Sequence, residues 1–303
     1  MLKEIYETCK YVSDNSKYVK INYDVVDEFI SGFKKTSFWL SSNPFNILDL
    51  DYKDIINVLS VYHTIGDYCL WGDPKWEIDT PDGKLDGSFA VLYLVINRYK
   101  DGKDFNMSFD EYKEWLKGKG ELLLLKERYD ELSIMNELLK DGNFYELIMD
   151  MKKDEDLFNY IIQKLPYYED ERNYNGKRVY FYKRAQLLVS DILHVREKVE
   201  KIDVDYSHLV GCADYKIPQV MNSLGMLQYD ESLEKRIANF EEISLGEDAE
   251  IEIRANTLMV IYYIYKSMNE MVPRMDINDY IWLLGQDKSK MTKAYHRCKT
   301  VNY

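Results

Sequence analysis

Apolar residues recur at helical spacing along most of the chain. A repeat every three or four positions places these side chains on one face of a helix, so each such stretch predicts an amphipathic helix with one buried stripe. The clearest stretches are Ile5, Cys9, Val12, Ser16 and Val19; Leu125, Tyr129, Leu132, Met135 and Leu139; Ala185, Leu188, Ile192 and Val199; and Leu258, Ile261, Tyr265, Met268 and Val272. The pattern therefore predicts a mostly helical protein.

Strand-like alternation is confined to two short segments. Residues 76–79 alternate before the turn-like residues 80–83, and residues 178–182 alternate after Asn175 and Gly176. Each segment predicts at most a piece of a short hairpin. The predicted fold class is therefore all-α, with at most a few short β-strands.

No segment clearly divides the chain. The 303 residues contain no internal repeat, no low-complexity tract and no Ser/Gly linker. A single, mostly helical domain spanning residues 1–303 is the leading prediction. The polar, turn-rich segment at residues 169–176 offers the alternative of a split into two domains.

The acidic composition limits the partners that the protein can have. The sequence carries 40 Lys and Arg against 53 Asp and Glu, a net charge of −13. Such a surface repels a phosphate backbone and an anionic membrane at long range. We therefore expect no polynucleotide or membrane partner, although a local basic pocket can still hold one phosphate group.

Cysteine usage and the first residues bear on the compartment. The four cysteines are far apart and form no CxxC pair, which predicts neither a zinc site nor a disulfide framework. Scattered free thiols fit a reducing cytoplasm, and the N-terminal residues lack the uncharged core of a signal peptide. We therefore expect a cytoplasmic protein. No self-complementary stripe stands out in the sequence, so we also expect a monomer.

Familiar catalytic motifs are absent from the sequence. It contains no GxSxG, HExxH, GxxxxGK[ST] or GxGxxG pattern, and its four histidines leave little room for a histidine-based metal centre. Candidate chemistry therefore rests on charged residues that stand in apolar surroundings.

One such residue is Asp214, which stands just before a predicted helix. Pro218 suits the first turn of that helix. One interpretation is that Asp214 is an N-cap that satisfies backbone N–H groups. The other is a catalytic carboxylate in a neighbourhood of small and apolar residues. The two are compatible, because a capping carboxylate can also face a pocket.

Cations occupy two further apolar segments. Lys183 and Arg184 open an apolar helix, either as a pair that snorkels at the surface or with one cation turned inward to hold an anion or orient a carboxylate. Arg254 follows the alternating residues 250–253 and is predicted to be partly buried. A buried arginine needs an acidic partner, so a structural ion pair and a substrate contact are the two interpretations.

These segments also carry a resemblance to the queuosine salvage protein family. Seven motifs occur in the family's order and cover nearly the whole chain: residues 68–71 (YCLW), 86–89 (DGSF) with 95–98 (VINR), 183–186 (KRAQ), 213–215 (ADY) with 218–219 (PQ), 252–254 (EIR), 279–282 (DYIW) and 296–303 (HRCKTVNY). Each motif is weak alone, whereas the ordered set is hard to obtain by chance.

The resemblance implies a fold and a reaction. The fold is an all-helical one similar to that of DNA glycosylases, and the reaction is hydrolysis of the N-glycosidic bond of queuosine 5′-phosphate to release queuine, a 7-deazaguanine base. It implies no metal and no organic cofactor. Asp214 then stabilises the oxocarbenium-like ribosyl centre and deprotonates water. Lys183 is similar to a family lysine near this aspartate and would keep it ionised.

The same resemblance suggests residues that bind the substrate. The base calls for aromatic walls and a polar group at its guanine-like edge, and the phosphate calls for cations. For Trp71 and Trp282 a plain core position is the alternative. The candidates are Asp67 at the base edge; Tyr68, Trp71 and Trp282 as stacking residues; His296 and Arg297 as phosphate clamps; and Tyr215, Arg254 and Asp279 as further substrate contacts.

One segment departs from the family pattern. The family usually has an acidic residue shortly before an asparagine and an FCFW-like run, and here those positions read Thr64 and Asp67. This difference bears on base recognition. The alternative function is a non-catalytic binding protein, a sensor or carrier, for a deazaguanine nucleotide. A DNA glycosylase is suggested only by the implied fold, and the net charge of −13 argues against it.

Overall fold

A computed structural model describes residues 2–34, 39–42 and 47–303. Most of these residues are helical, as the apolar spacing predicts. The α-helices in this part of the chain are α1 (Leu2–Asp14), α2 (Tyr23–Ser31), α3 (Tyr52–Gly66), α4 (Gly87–Lys100), α5 (Phe109–Trp115), α6 (Leu125–Leu138), α7 (Phe144–Ile148), α8 (Asp154–Lys164), α9 (Lys183–Val195), α10 (Lys216–Ser223), α11 (Glu231–Ala238), α12 (Asp248–Ser267) and α13 (Arg274–Leu284). Short 3-10 helices lie at Trp39–Ser42, Ile47–Asp49, Leu139–Asp141, Pro166–Tyr168 and Lys288–Lys290, and a π-helical turn at Arg196–Glu200 follows α9.

The strands are short and pair only two at a time within the described residues. They are β1 (Val19–Ile21), β2 (Glu77–Thr80), β3 (Gly83–Asp86), β4 (Glu171–Tyr174), β5 (Lys177–Tyr180) and β6 (Leu227–Tyr229). The ribbons β2–β3 and β4–β5 are antiparallel hairpins at the two segments where the sequence alternates. The prediction of a mostly helical fold with a few short strands is therefore confirmed.

The chain forms two compact units. The first consists of Met1–Trp39, Glu169–Leu187 and Tyr206–Lys299, and the second of Leu40–Tyr168, Leu188–Asp205 and Thr300–Tyr303. One boundary falls at Glu169, where the polar and turn-rich segment begins. Both units are discontinuous in sequence, and the single-domain organisation stays a prediction.

Helix α12 is the central helix of the first unit. It packs against α1, α2, α10 and α13, and its residues from Ala249 to Leu258 are all buried. Such a helix is apolar on every side except where polar residues find partners inside the core. Glu250, Glu252 and Arg254 are the charged residues of this buried stretch.

Glu252 explains why the first helix ends earlier than its apolar spacing predicts. Its Oε2 accepts hydrogen bonds from the backbone N–H groups of Lys17, Tyr18 and Val19, at 2.9, 2.7 and 3.2 Å. In a continuing helix these groups would bond to carbonyls four residues earlier. The prediction of helix through Val19 is therefore wrong: α1 ends at Asp14, and Val19 pairs with Tyr229 in the β1–β6 ribbon.

We expect Glu252→Gln to lower the free energy of unfolding by about 1–3 kcal/mol. The variant loses the charge that three N–H groups share, and its amide nitrogen must face either them or the Tyr174 hydroxyl, which donates to Oε1 at 2.8 Å. Urea denaturation measures the change. Glu7→Ala, on the exposed face of α1, is the control and should stay within about 0.5 kcal/mol of the parent. A Glu252→Gln variant as stable as this control would contradict the account.

Helix α3 is the central helix of the second unit. It packs against α4, α6 and α7, and every residue from Val58 to Gly66 is buried. His63 lies in this buried stretch, and the α6 residue Arg128 is fully buried as well. The sequence pattern singled out neither residue, and both contact the segment that holds the base-binding candidates, His63 at Asp67 and Arg128 at Tyr68.

The described residues also bear on membrane spanning and on the cysteines. None of their helices is long and apolar enough to cross a bilayer. All four cysteines are buried free thiols. The expectation that they form no disulfide framework is therefore confirmed.

Candidate active site

Asp214 caps helix α10. Its Oδ1 accepts hydrogen bonds from the backbone N–H groups of Lys216 and Ile217, at 2.7 and 2.8 Å. The side chain therefore caps the start of α10, as the first interpretation expected, although Asp214 stands one residue before the N-cap position, which Tyr215 occupies. Oδ2 accepts no hydrogen bond from the residues that the structure describes, and the side chain is partly exposed. One oxygen of Asp214 is thus fixed by the helix while the other can meet water or substrate.

Side chains from α9 and α13 fix the backbone that leads to Asp214. Gln186 Oε1 accepts hydrogen bonds from the N–H groups of Val210 and Gly211, at 2.7 and 3.4 Å. Asn278 Oδ1 accepts one from the N–H of Cys212, at 3.0 Å. These contacts set the course of a buried loop that has no regular partner strand.

Arg254 holds the same loop one residue before Asp214. Its Nε donates to the carbonyl of Ala213 at 3.0 Å, and its Nη1 and Nη2 pair with the Asp170 carboxylate at 3.0 and 2.5 Å. Nη1 also lies 3.4 Å from Glu250 Oε1, and the guanidinium stacks 4.0 Å from the centre of the Phe181 ring. The structural ion pair is therefore present, and a substrate contact by Arg254 stays a prediction.

Gly211 is required by the path of this loop. Its φ of +134° lies in a region that favours glycine, and a Cβ placed there would lie 2.9 Å from Ile261 Cδ1. A side chain at this position would have a strained backbone and would displace the ends of the Ile261 and Leu258 side chains. Gly211 thus has both a backbone and a packing reason.

Lys183 and Arg184 are both buried at the start of α9. The interpretation of a pair that snorkels at the surface is therefore wrong. The backbone N–H of Lys183 lies 3.4 Å from Asp170 Oδ2, and its carbonyl accepts the Cys212 thiol at 3.6 Å. The Lys183 backbone thus contacts the loop that carries Asp214 through the Cys212 thiol. It also lies next to the Asp170 carboxylate, which binds Arg254.

The remaining candidates of the first unit lie on several elements. Tyr215 packs against Tyr295, with ring centres 5.1 Å apart, and the partly buried Trp282 packs edge-on against Trp39 at 6.0 Å. Asp279 is buried and its Oδ1 lies 3.4 Å from the amide nitrogen of its neighbour on α13. The role of these residues in substrate binding stays a prediction.

His296 and Arg297 have different environments. His296 is buried, and this burial, together with the positive charge of Arg254, lowers its pKa to about 3. Its imidazole is therefore neutral at physiological pH and can offer an N–H donor rather than a charge. Arg297 is partly exposed, with its guanidinium 4.5 Å from the centre of the Phe240 ring. Of the two expected phosphate clamps, only Arg297 carries a charge at neutral pH.

The base-binding candidates Asp67, Tyr68 and Trp71 belong to the second unit, and all three are buried. Arg128 holds the backbone of this segment: Nη1 donates to the carbonyl of Ile65, and Nη2 to those of Tyr68 and Cys69 at 3.1 and 2.9 Å. Its guanidinium also stacks 4.1 Å from the centre of the Tyr68 ring. Tyr68 is thus covered on one side by a cation.

His63 lies between two buried carboxylates of the second unit. Its Nδ1 is 2.5 Å from Asp67 Oδ2, and its Nε2 is 3.0 Å from Asp191 Oδ2. Burial by itself would lower the pKa of His63, but the two carboxylates outweigh it and raise the pKa from 6.5 to about 9. The imidazolium form, in which both ring nitrogens donate, is therefore the state at neutral pH.

This pKa predicts how stability depends on pH. Because the folded pKa lies above the ordinary value, the contribution of His63 is complete below pH 6.5 and is lost as the pH rises through about 9. One pKa unit corresponds to about 1.4 kcal/mol, so the loss is on the order of 3 kcal/mol. Urea denaturation of the parent and of His63→Gln should show a stability difference that shrinks between pH 6.5 and pH 9. A difference that does not change with pH would contradict the charged His63.

Several residues that position the candidate site were not found from the sequence. Gln186 was present in a family-like motif but had no predicted partner, and Asp170 lies in the turn-rich segment without any local signal. His63 and Asp191 look like ordinary members of apolar helices. Only the three-dimensional contacts show what these polar side chains do.

Comparisons with known proteins agree with the ordered motifs. The family model described as queuosine salvage protein matches residues 98–303. A queuosine 5′-phosphate N-glycosylase/hydrolase of Sphaerobacter thermophilus is 28% identical, over 98% of this chain and 96% of that protein. Proteins of the same name from Dictyostelium discoideum and Mus musculus are 27% and 29% identical, over 98% and 59% of this chain and 98% and 58% of their own lengths. The chain therefore belongs to the queuosine salvage protein family.

Proposed function

We propose that this protein hydrolyses the N-glycosidic bond of queuosine 5′-phosphate and releases queuine and ribose 5-phosphate. The observation that carries the proposal is the geometry of Asp214, whose Oδ1 is bound by two backbone N–H groups of α10 while Oδ2 has no donor among the described residues. Membership of the family and the names of the relatives agree with this activity.

Asp214 acts on the sugar side of the reaction. As the C1′–N bond of the nucleotide breaks, its electron pair goes to the base and positive charge develops on the ribosyl centre. The carboxylate stabilises this charge, and Oδ2 accepts a proton from the water that attacks C1′. The leaving 7-deazaguanine gains a proton on its glycosidic nitrogen. The ribose thus receives the hydroxyl group of the water, and the base receives the equivalent of its proton.

The loop that leads to Asp214 is held in place by side chains, which suits a catalytic carboxylate. A catalytic carboxylate must be held where charge develops, because its reorientation during the reaction would cost free energy. Gln186, Asn278 and Arg254 bind consecutive backbone groups from Val210 to Ala213. The helix N-terminus also favours a negative charge at its cap.

On the family resemblance, we assign Lys183 a catalytic role together with Asp214. We expect Lys183→Met to lower turnover by about 10–100-fold, the effect of losing one interaction with a charged group. Lys183→Arg should retain more activity than Lys183→Met because it keeps the charge. Steady-state kinetics of both variants test this, with Lys235→Met on the exposed face of α11 as the control. Wild-type turnover by Lys183→Met would remove the lysine from the mechanism.

We assign one group of residues to each end of the nucleotide, the base and the 5′-phosphate. We assign the base to Tyr68, Trp71 and Trp282 as aromatic contacts and to Asp67 as the acceptor for its guanine-like edge, since a carboxylate only accepts. The 5′-phosphate is assigned to Arg297 as the charge and to the neutral His296 as a hydrogen-bond donor. Tyr215, Arg254 and Asp279 are assigned to the substrate side on the family resemblance alone.

We further propose a cytoplasmic monomer that works without a polynucleotide partner. The net charge of −13 supports the absence of a polynucleotide partner, and the four buried free thiols support the reducing compartment. The monomer is proposed because no self-complementary stripe stands out in the sequence. Gel filtration with light scattering should give a single species of 36.1 kDa. A duplex-binding assay at low salt should show no complex, and a stable complex would favour the DNA glycosylase alternative.

Incubation with queuosine 5′-phosphate followed by chromatography tests the activity. The expected result is free queuine in molar excess over the protein. Binding of the intact nucleotide without release would reject the enzyme and favour a sensor or carrier. The unphosphorylated nucleoside, run in parallel, shows which form of the substrate the protein prefers.

A further inference from the structure

The second unit contains a buried row of three polar side chains, Asp67, His63 and Asp191. The distances are 2.5 Å from His63 Nδ1 to Asp67 Oδ2 and 3.0 Å from His63 Nε2 to Asp191 Oδ2. All three are buried, and His63 and Asp67 stand four residues apart at the C-terminal end of α3. Burying two carboxylates and an imidazole is costly unless they neutralise one another, so such a row needs a reason.

We propose that His63 is a positioning residue that orients the Asp67 carboxylate, and that Asp67 so held selects a base with hydrogen-bond donors on its edge. This inference rests on the proposed function and deepens it, because it assigns the choice of base to this chain's own side chains. His63 acts through Asp67 and is not itself a contact of the reacting atoms.

A carboxylate at position 67 needs such a partner more than an asparagine would. A buried carboxyl group tends to take up a proton, which would turn one of its oxygens into a donor. The imidazolium of His63 favours the ionised form of Asp67, which only accepts. An asparagine amide at this position would offer a donor as well as an acceptor. The pair of Asp67 and His63 therefore favours bases whose edge carries hydrogen-bond donors.

The backbone around Asp67 is already fixed by other contacts. Arg128 binds the carbonyls of Ile65, Tyr68 and Cys69, on both sides of Asp67. The hydrogen bond from His63 acts on what this backbone contact does not fix, the side-chain torsions of Asp67. Asp191 in turn fixes the ring of His63, as a carboxylate commonly does for a functional histidine.

Two substitutions at His63 separate positioning from simple packing. The amide nitrogen of asparagine can replace Nδ1 and keep the bond to Asp67, whereas that of glutamine can replace Nε2 and keep the bond to Asp191. We expect His63→Gln to raise KM for queuosine 5′-phosphate and Kd for queuine by about 10–100-fold, with little change in kcat. His63→Asn should stay much closer to the parent. A role in packing alone would give the two variants equal constants.

A double substitution tests whether His63 acts through Asp67. In an Asp67→Ala background, His63→Gln should change KM and Kd little further, since the side-chain acceptor that His63 positions is gone. The same increase in both backgrounds would overturn the inference. His194→Gln is the matched control: this histidine is also buried in the second unit, 3.4 Å from Ser190 Oγ, and its replacement should affect thermal stability without changing KM.

The choice of base is measured with two free bases. The parent should prefer queuine to a 7-deazahypoxanthine, which lacks the 2-amino donor, and His63→Gln should reduce this preference. If His63→Gln does not fold, the wild-type protein labelled with 15N at histidine gives the answer: the His63 Nδ1 resonance should shift when queuine binds. An unshifted resonance, or an unchanged preference in a folded variant, would overturn the inference.

These measurements distinguish a failure of the proposed hydrolysis from a failure of the inference about His63. A wild-type protein that releases no queuine would reject the proposed hydrolysis, and binding of free queuine by the parent and the His63 variants would still test the positioning of Asp67. Normal turnover by the parent together with unchanged KM and Kd in His63→Gln would leave the hydrolysis intact and reject the inference.

Discussion

Asp214→Asn is expected to remain folded and to lose queuine release by at least about 10²–10⁴-fold, the usual effect of losing a general base. The loss of the negative charge that faces the ribosyl centre adds to this. The fold should hold because the amide oxygen of asparagine can accept the same two N–H groups, from Lys216 and Ile217, that Oδ1 accepts. Single-turnover release of queuine, followed by chromatography, measures the change.

The matched control is Asp230→Asn. Asp230 caps α11 in the same unit, is also partly exposed, and accepts the N–H of Leu233 at 2.9 Å. Both variants should unfold within about 1 kcal/mol of the parent, since asparagine and aspartate cap about equally well. Only Asp214→Asn should lose turnover, while its affinity for free queuine stays nearly unchanged. More than about a tenth of the parental turnover would fall outside the general-base range and remove Asp214 from the mechanism.

Arg254→Met is expected to destabilise the protein by about 3–5 kcal/mol, the usual effect of breaking a buried ion pair by removing one partner. The buried carboxylates of Asp170 and Glu250 would lose the cation between them, and the carbonyl of Ala213 would lose its donor. Turnover of the folded fraction should also fall, because this carbonyl directly precedes Asp214. The midpoint of urea denaturation and the specific activity measure the two effects.

Arg236→Met gives the comparison for this prediction. Arg236 also pairs with a glutamate of its unit, Glu247, but both side chains are about one-third exposed, at 33% and 32%. An exposed pair contributes at most about 1 kcal/mol, so this variant should be only slightly less stable than the parent. Arg254→Lys keeps the charge without the planar fork and should lie between the two. Equal stability of the Arg254→Met and Arg236→Met variants would contradict the role of the buried cluster.

The helical architecture could be predicted because it depends on local spacing. The stripe at Leu125, Leu132 and Met135 lies within α6, and the turn at Asn175 and Gly176 joins β4 to β5. The β1–β6 ribbon could not be predicted, since its two short strands are separated by most of the chain and neither alternates over enough residues to be noticed. The end of α1 depends on the Glu252 carboxylate, which is equally remote in sequence.

The candidate site was predicted only in part. The position of Asp214 before a helix predicted that its side chain caps that helix, and the apolar surroundings of Arg254 predicted its burial. Their partners could not be identified, because a hydrogen bond between side chains distant in sequence leaves no periodic signal. Asp170 and His63 are examples: each is charged, buried and bonded to residues on other segments. Fully buried polar contacts of this kind become visible only in the fold.

The central claim, hydrolysis of the nucleotide, is tested most directly by measuring both products of one reaction. Queuosine 5′-phosphate is incubated with a catalytic amount of the protein, and queuine and ribose 5-phosphate are quantified together. The account predicts that the two appear in equal amounts, over many turnovers, at a rate that added inorganic phosphate does not change. Intact nucleotide bound without cleavage, or release of queuine that requires inorganic phosphate and gives a sugar 1-phosphate, would contradict it.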